Sequence, residues 1–354
     1  MENLVSPAFW RGRRVFVTGH TGFKGSWLSL WLQQMGADVS GYALQPATTP
    51  ALFGVADVER GMHSVCGDIG DYETLRRTLA AARPEIVLHL AAQPLVPHAY
   101  AAPVETFATN AMGTVNVLEA CRHQPDVAAV VVVSSDKCYE NQEQIWGYRE
   151  TDPMGGHDPY SASKGCTELI VASYRRSFLA PRGVALASAR AGNVIGGGDW
   201  TLTRLVPDVL AAFARGEVVV LRNPAAIRPW QHVLEPLAGY LLLAQRLVEH
   251  GEAFAEGWNF GPDDTDARTV AWIVDRIAAG WGSAVWKASD EPRIHEAHTL
   301  KLDCTKARVR LGWQPRWQAE EAVARSLAWY QAWRAGADMY RYTLDEIAAF
   351  ATTP

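Results

Sequence analysis

Two polar runs in this sequence combine residue types that can transfer protons. Tyr160 and Lys164 are four residues apart near the start of a predicted helix, so both side chains project from one helix face. A lysine ammonium beside a phenol favours the phenolate, which can accept the proton of a substrate hydroxyl. The spacing predicts a catalytic pair, and the alternative interpretation is a solvated helix face.

The second run closes the strongest predicted strand, 127–134. It consists of Ser134, Ser135, Asp136 and Lys137. Polar side chains at the carboxyl end of a buried strand can act on a ligand, although Ser and Asp there can also cap a turn or a helix. We favour a catalytic role because the run lies at the edge where such sheets bind ligands.

A glycine-rich loop follows the first predicted strand, 14–18, and precedes a predicted helix at 26–35. The loop consists of Gly19, His20, Thr21, Gly22, Phe23, Lys24 and Gly25. Glycines at this spacing permit a tight turn, and the free N–H groups at a helix start can bind a pyrophosphate. The position between strand and helix favours a dinucleotide site over ordinary turn glycines.

The acidic residue that usually follows such a loop by about twenty positions is missing. Leu44-Gln45-Pro46 ends the second predicted strand, and no arginine stands there either, so this position does not discriminate NAD from NADP. Asp68, after the third predicted strand, is a candidate for the adenine edge. A turn aspartate is an equally good interpretation of Asp68.

The elements that must position these residues alternate between strand and helix. Further predicted strands cover 38–44, 64–66, 85–90 and 184–189, and predicted helices cover 72–82, 104–123 and 160–178. This alternation predicts an α/β fold with a doubly wound parallel (Rossmann) sheet and a smaller mixed α/β C-terminal substrate lobe. We expect domains at 1–190 and 191–354, with part of the chain crossing back.

Composition narrows the class of protein. The 354-residue chain is 48% hydrophobic and 20% charged with a net charge of -5, which argues against disorder and against nucleic acid or anionic membrane as partners. Its five cysteines form no C-x-x-C pair, so we expect neither a disulfide framework nor a metal site. No stretch has the length of a membrane span or a signal core, which predicts a cytoplasmic protein.

Taken together, the motifs resemble those of the extended short-chain dehydrogenase/reductases. The matching residues are Thr18-Gly19-x-x-Gly22-x-x-Gly25, Asp68-Ile69, Leu90-Ala91-Ala92, Asn110, Ser135 and Tyr160-x-x-x-Lys164. Longer runs between about residues 10 and 317, such as Arg190 to Trp200 and Ile227 to Pro236, resemble the 4,6-dehydratase branch that acts on CDP-glucose. The resemblance implies that NAD is the cofactor. The residues that would bind it are those of the glycine loop together with Asp68, Ile69, Leu90, Ala91, Ala92, Asn110, Tyr160 and Lys164.

The resemblance also implies a reaction that is redox-neutral overall. NAD would take a hydride from C4 of the hexose and return it to C6, with loss of water from C5 and C6 in between. Tyr160 would accept the 4-hydroxyl proton while Ser135 binds the same oxygen. We assign Asp136 as the acid near the C6 oxygen and Lys137 as the C5 base, since relatives acting on TDP or GDP sugars have Asp-Glu where this chain has Asp-Lys.

The same resemblance nominates residues for the substrate. The candidates are Gln93, Asn193, Arg204, Arg222, Arg228 and His232. Asn193 and Arg228 would hold the pyrophosphate, because guanidinium groups make paired contacts with phosphate oxygens. The branch usually has an arginine where this chain has Pro97-His98, and Arg204 or Arg222 is the candidate substitute. A homodimer or homotetramer is expected.

Two other functions stay open at this stage. A nucleotide-sugar epimerase of the same superfamily would need no acid/base pair to expel water, and Asp136-Lys137 argues against it. A non-catalytic NAD-binding sensor would keep the glycine loop without the chemistry, and the intact Ser135, Tyr160 and Lys164 argue against that.

Overall fold

The computed structural model describes residues 5–282, 285–289 and 300–353, and a parallel sheet lies at its centre. The strands are β1 (Arg14–Thr18), β2 (Asp38–Ala43), β3 (His63–Cys66), β4 (Ile86–His89), β5 (Ala129–Val133), β6 (Ala185–Ala191), β7 (Val194–Ile195), β8 (Val219–Leu221), β9 (Ile227–Pro229), β10 (Gln231–His232), β11 (Gly257–Phe260), β12 (Ala267–Thr269) and β13 (Trp286–Ala288). Seven of them form the central sheet in the order β11-β6-β5-β4-β1-β2-β3.

Helices cover both faces of this sheet. They are α1 (Pro7–Trp10), α2 (Phe23–Gln34), α3 (Leu52–Val55), α4 (Tyr72–Ala82), α5 (Val96–Ala101), α6 (Pro103–Phe107), α7 (Gly113–Arg122), α8 (Pro159–Tyr174), α9 (Leu205–Ala214), α10 (Leu234–His250), α11 (Val270–Trp281), α12 (Ala319–Arg334) and α13 (Met339–Thr352). All neighbouring strands of the central sheet run parallel, which confirms the predicted doubly wound α/β class.

The core explains why the strands appear as continuous apolar runs. Val15 and Val17 of β1 pack into one hydrophobic cluster with α2 and α10, whereas Phe16 between them packs into another with α4 and α7. Side chains alternate across a strand, so a sheet covered on both faces needs apolar residues at every position. The sheet is therefore a rigid platform whose strand ends hold the polar residues.

The direction of the strand order reverses between β1 and β4. β1 pairs with β2 on one side and with β4 on the other, and Thr18 lies opposite both Tyr42 and His89 at the carboxyl edge. Ligands of open α/β sheets bind in the crevice at such a reversal. Two loops predicted to bind the cofactor, 19–25 and 90–92, begin there.

Part of the chain beyond residue 191 packs on the central sheet. β11 pairs with β6 at its edge, and α10 packs against β5 and β6. Three short pairs, β7 with β10, β8 with β13 and β9 with β12, lie outside the central sheet. The boundary near residue 190 stays a prediction.

Several element details differ from the sequence prediction. The helix predicted over 104–123 consists of α6 and α7 joined by a π turn at Ala108–Met112. Neither α5, which begins next to a proline, nor α13 was predicted. Among the described residues, no helix has the length and apolar character of a membrane span.

Candidate active site

The glycine loop forms a close-packed cradle at the carboxyl end of β1. Gly19 has φ +76°, and a Cβ there would lie 2.7 Å from the backbone nitrogen of Ala91. A Cβ on Gly25 would lie 2.0 Å from the carbonyl oxygen of Gly19. Helix α2 then begins with Gly22 as N-cap and with no side chain capping its N–H groups. An uncapped helix start behind a turn with glycine at its close-packed positions fits a pyrophosphate.

We expect Gly25→Ala to abolish this cradle. The added Cβ would meet backbone atoms that cannot move without opening the turn, so NAD affinity should fall by at least about tenfold. Gly54→Ala in α3, outside the loop, is the matched control, since no atom of the described residues lies within 4 Å of the position of its Cβ. Isothermal titration with NAD compares them, and equal affinities for the two variants would contradict the cradle.

The side chains of the loop mostly hold the loop itself. The His20 ring is buried, its Nε2 lies 2.7 Å from Ser64 Oγ, and burial lowers its pKa to about 4, so the ring is neutral. Thr21 Oγ1 donates to the carbonyl of Leu44 at 2.8 Å. His20 and Thr21 therefore anchor the loop to β2 and β3, and their backbone remains for ligand contact.

The loop after β4 is fixed against the cradle. The backbone N–H groups of Leu90 and Ala91 each lie 3.2 Å from the acceptor Thr18 Oγ1. Ala92 and Gln93 come next in this loop. The side-chain amide of Asn110 connects the loop to α8: its Oδ1 accepts from Gln93 N at 2.8 Å, and its Nδ2 donates to Ser163 Oγ at 2.9 Å. Asn110 therefore links two segments of the site.

Asp68 and Ile69 lie beyond the edge strand β3. Asp68 is exposed, and its Oδ1 accepts from Gly70 N at 2.7 Å, so the carboxylate shapes its own turn. Ile69 is buried in the core. The structure thus shows the turn aspartate that the sequence offered as one interpretation, and a contact of Asp68 with adenine stays a prediction.

The run after β5 brings an acid and an amine together. Ser135 caps the short turn Asp136–Cys138, and its Oγ donates to Asp136 Oδ1 at 2.9 Å. Lys137 Nζ lies 3.8 Å from the same carboxylate oxygen. Asp136 is buried, whereas the Lys137 side chain is 36% exposed, which leaves the amine able to approach a ligand.

Tyr160 and Lys164 lie in the first turns of α8. The helix starts there because Pro159 occupies its first turn and Asp158 caps the N–H of Ser161 at 3.0 Å. Burial raises the pKa of Tyr160 to about 12, and the interaction of its hydroxyl with Ser135 partly opposes this increase. Burial lowers the pKa of Lys164 to about 8. The structure therefore brings Ser135 and Tyr160 together, with Lys164 one helical turn further along α8.

A buried ion pair that the sequence analysis missed lies next to Lys164. Arg190 Nη2 lies 2.8 Å from Glu168 Oε2, and both residues are at most 5% exposed. Arg190 Nη1 also donates to Tyr139 Oη at 2.6 Å. Glu168 lies one turn after Lys164, and its charge raises the pKa of that lysine against the effect of burial. The sequence signal was Arg190, a charged residue directly after the predicted strand 184–189, because a buried charge requires a partner.

The candidate substrate residues are spread along the lobe. Arg204 pairs with Asp199 at 2.9 Å, and its charge also lowers the pKa of Tyr160. Arg228 is half-buried in β9, and Asn193 is half-buried between β6 and β7. Arg222 is exposed after β8, where its charge acts on Asp208.

Two of the residues nominated for the substrate have side chains that contact other protein groups instead. Gln93 donates to Thr106 Oγ1 at 2.9 Å and accepts from Leu95 N at 2.5 Å, so both ends of its amide are bound to protein. His232 needs a correction, because its ring is fully buried between Trp27 and Trp317, with Nε2 3.1 Å from Glu346 Oε1. The structure places His232 in the core, with its ring enclosed by protein.

Lys24 and Tyr240 complete the centre. The Lys24 amine lies 6.0 Å from the ring centroid of Tyr240, and the Tyr240 hydroxyl is buried with no hydrogen-bond partner among the described residues. The charge of Asp136 acts on both side chains. Tyr240 had no signal in the sequence, because it lies within the apolar pattern of α10.

Comparison with known proteins places this geometry in a family. The family model described as GDP-mannose 4,6 dehydratase matches residues 16–326. A CDP-glucose 4,6-dehydratase of Salmonella typhimurium is 54% identical, over 99% of this chain and 100% of that protein.

Solved structures show the same fold. A UDP-glucose 4-epimerase from Thermotoga maritima, solved with UDP-glucose, matches with a TM-score of 0.77 at 25% identity, over 90% of this chain and 99% of that chain. A dTDP-glucose 4,6-dehydratase from Streptomyces venezuelae, solved with NAD bound, matches with a TM-score of 0.75 at 24% identity, over 92% and 99% of the two chains.

Proposed function

The chain belongs to the GDP-mannose 4,6 dehydratase family, and we propose that within it the chain is a CDP-glucose 4,6-dehydratase. It is an NAD-dependent lyase that converts CDP-D-glucose to CDP-4-keto-6-deoxy-D-glucose and water. The observation that carries this proposal is the 54% identity over the whole chain to a CDP-glucose 4,6-dehydratase, together with an Asp136–Lys137 pair inside the catalytic centre.

The centre contains the groups that the proposed reaction needs. NAD, when bound, supplies the hydride acceptor for C4 and the donor for C6. Tyr160 accepts the proton of the 4-hydroxyl, and Ser135, which is hydrogen-bonded to Tyr160, orients the same oxygen. Arg204 favours the phenolate, because a nearby cation stabilises the anion.

We propose that the elimination falls to the Asp136–Lys137 pair. In this assignment Lys137 takes the C5 proton, which the C4 ketone makes acidic, and Asp136 delivers a proton to the departing C6 hydroxyl. Their separation of 3.8 Å supports action at neighbouring carbons of one sugar. An epimerase would have no use for this pair, which is why we keep the dehydratase as the proposed activity.

The remaining details are finer proposals. Apolar side chains on neighbouring helices, Val104 at 82%, Met112 at 56% and Leu169 at 63% exposure, support a homodimer formed through α6, the π turn and α8. A homotetramer would extend it. We also propose a cytoplasmic enzyme that supplies deoxysugars for surface polysaccharide (O-antigen).

A substrate panel tests the function. The protein is incubated with NAD and with CDP-, TDP-, UDP- or GDP-hexoses, and the alkaline absorbance of a 4-keto-6-deoxy sugar is measured. We expect a response to CDP-glucose alone. Interconversion of hexose epimers without loss of water would support the epimerase instead, and binding of NAD without any turnover would support the sensor.

A further inference from the structure

Tyr139 ends the turn that carries the proposed acid and base. It directly follows Asp136–Cys138, two residues after Lys137, and it is buried. Its hydroxyl accepts a hydrogen bond from Arg190 Nη1 at 2.6 Å and donates one to Asn259 Oδ1 at 2.8 Å. Both hydrogen bonds run to protein groups, so the hydroxyl holds the end of the turn in place.

Arg190 extends this contact to helix α8. Its guanidinium, on β6, donates to Glu168 Oε2 at 2.8 Å as well as to Tyr139. Glu168 lies one helical turn after Lys164, and Ser188 Oγ donates to the same carboxylate oxygen at 2.7 Å. One rigid planar group therefore connects the turn after β5 to the helix that carries the Tyr-x-x-x-Lys pair.

Asn259 fixes the other side of the hydroxyl. It is buried in the edge strand β11, and its Nδ2 donates to the carbonyls of Tyr148 at 2.8 Å and Asp303 at 3.2 Å. The ring of Tyr139 also stacks on that of Tyr148, with the centroids 5.3 Å apart. The hydroxyl is thus held between a donor on β6 and an acceptor on β11, an arrangement that makes a buried polar network rigid.

The amine of Lys137 depends on this support because its own contact is weak. Its Nζ lies 3.8 Å from Asp136 Oδ1, beyond hydrogen-bond distance, and its side chain is partly exposed. The backbone hydrogen bond that closes the turn, from Tyr139 N to the carbonyl of Asp136, is long at 3.4 Å. The position of the amine therefore depends on how firmly the end of the turn is held at Tyr139.

We propose that Tyr139 is a positioning residue for the elimination: its hydroxyl, held by β6 and β11, places the Asp136–Lys137 pair at the sugar. The inference rests on the proposed function, because the elimination is assigned to that pair. The oxidation depends less on Tyr139, since Tyr160 is held within α8 and Ser135 precedes the turn. Loss of the hydroxyl should therefore separate the two steps.

Tyr139→Phe removes the hydroxyl and keeps the buried ring. After the enzyme is mixed with NAD and CDP-glucose, the amount of reduced cofactor measures C4 oxidation, and mass spectrometry measures exchange of solvent deuterium into C5. We expect the exchange rate per reduced cofactor to fall at least about tenfold, because a displacement of about 1 Å costs up to about a hundredfold in rate. A smaller folded fraction lowers both quantities and cancels in the ratio.

Tyr148→Phe is the matched control. Tyr148 is buried like Tyr139, on which its ring stacks, but its hydroxyl accepts from Gln142 N at 2.7 Å within its own loop. This variant loses a buried hydroxyl from the same aromatic pair. It should keep the ratio of the parent protein, even where its melting temperature falls as far as that of Tyr139→Phe.

A ratio in Tyr139→Phe that stays the same or rises would overturn the inference. An equal fall of the ratio in Tyr148→Phe would also overturn it, because any loss from the aromatic pair would then suffice. Both results leave the proposed function standing, since the parent protein still turns over CDP-glucose. A parent protein that forms no reduced cofactor with CDP-glucose would overturn the proposed function together with the inference.

Discussion

Tyr160→Phe should lower kcat by about 10²- to 10⁴-fold, the usual contribution of a positioned acid or base. The ring would keep its buried place, but the oxygen that lies beside Ser135 and accepts the 4-hydroxyl proton would be gone. The loss should appear already in the first step. A single turnover with CDP-glucose should therefore show no transient reduced cofactor.

The matched control for this variant lies on the same helix. Tyr174 closes α8, and its hydroxyl contacts Glu119 at 3.3 Å, away from the catalytic residues. Tyr174→Phe should keep nearly full turnover. A Tyr160→Phe enzyme with normal formation of reduced cofactor would show that another group accepts the 4-hydroxyl proton.

Lys137→Ala should separate the elimination from the oxidation. The variant retains Tyr160, Lys164 and the cofactor cradle, so C4 oxidation should proceed and reduced cofactor should accumulate. Exchange of solvent deuterium into C5 should fall by at least about a hundredfold, because the proposed base is missing. Mass spectrometry of the recovered sugar measures the exchange, and unchanged exchange would reject Lys137 as the C5 base.

Lys137→Arg sharpens this test. A guanidinium keeps the positive charge beside Asp136 but cannot lose a proton near neutral pH, so exchange at C5 should also fail in this variant. Lys287→Ala, on an exposed strand, is the control for loss of a lysine. Full activity of Lys137→Arg would mean that this position needs only a charge.

The element pattern could be predicted because it depends on neighbouring residues. Apolar runs identified the strands β1 to β6, and the helix predicted at 72–82 agrees with α4 at both ends. The π turn within 103–122 could not be predicted, because its apolar spacing also fits a regular helix. Similarly, β11 is four residues long, and its place at the sheet edge depends on pairing with β6, which is distant in sequence.

The sequence itself determined which residues can do chemistry here. The glycine loop, Asp136-Lys137 and Tyr160-x-x-x-Lys164 each require a residue type at a fixed spacing, and each lies at a predicted strand end or helix start. The scarcity of lysine points the same way, since only six of 33 basic residues are lysines and three of those, Lys24, Lys137 and Lys164, act on one centre.

Only the tertiary structure decided what each side chain faces. Lys24 lies near Asp136 because α2 packs on a segment far along the chain. In that contact Trp27 Nε1 donates a hydrogen bond to the carbonyl of Gly197 at 3.0 Å, although the two residues are 170 positions apart. The same packing buries His232 between two tryptophans and brings Arg204 to Tyr160. Such contacts depend on side-chain volume and burial across distant segments, which local spacing does not encode.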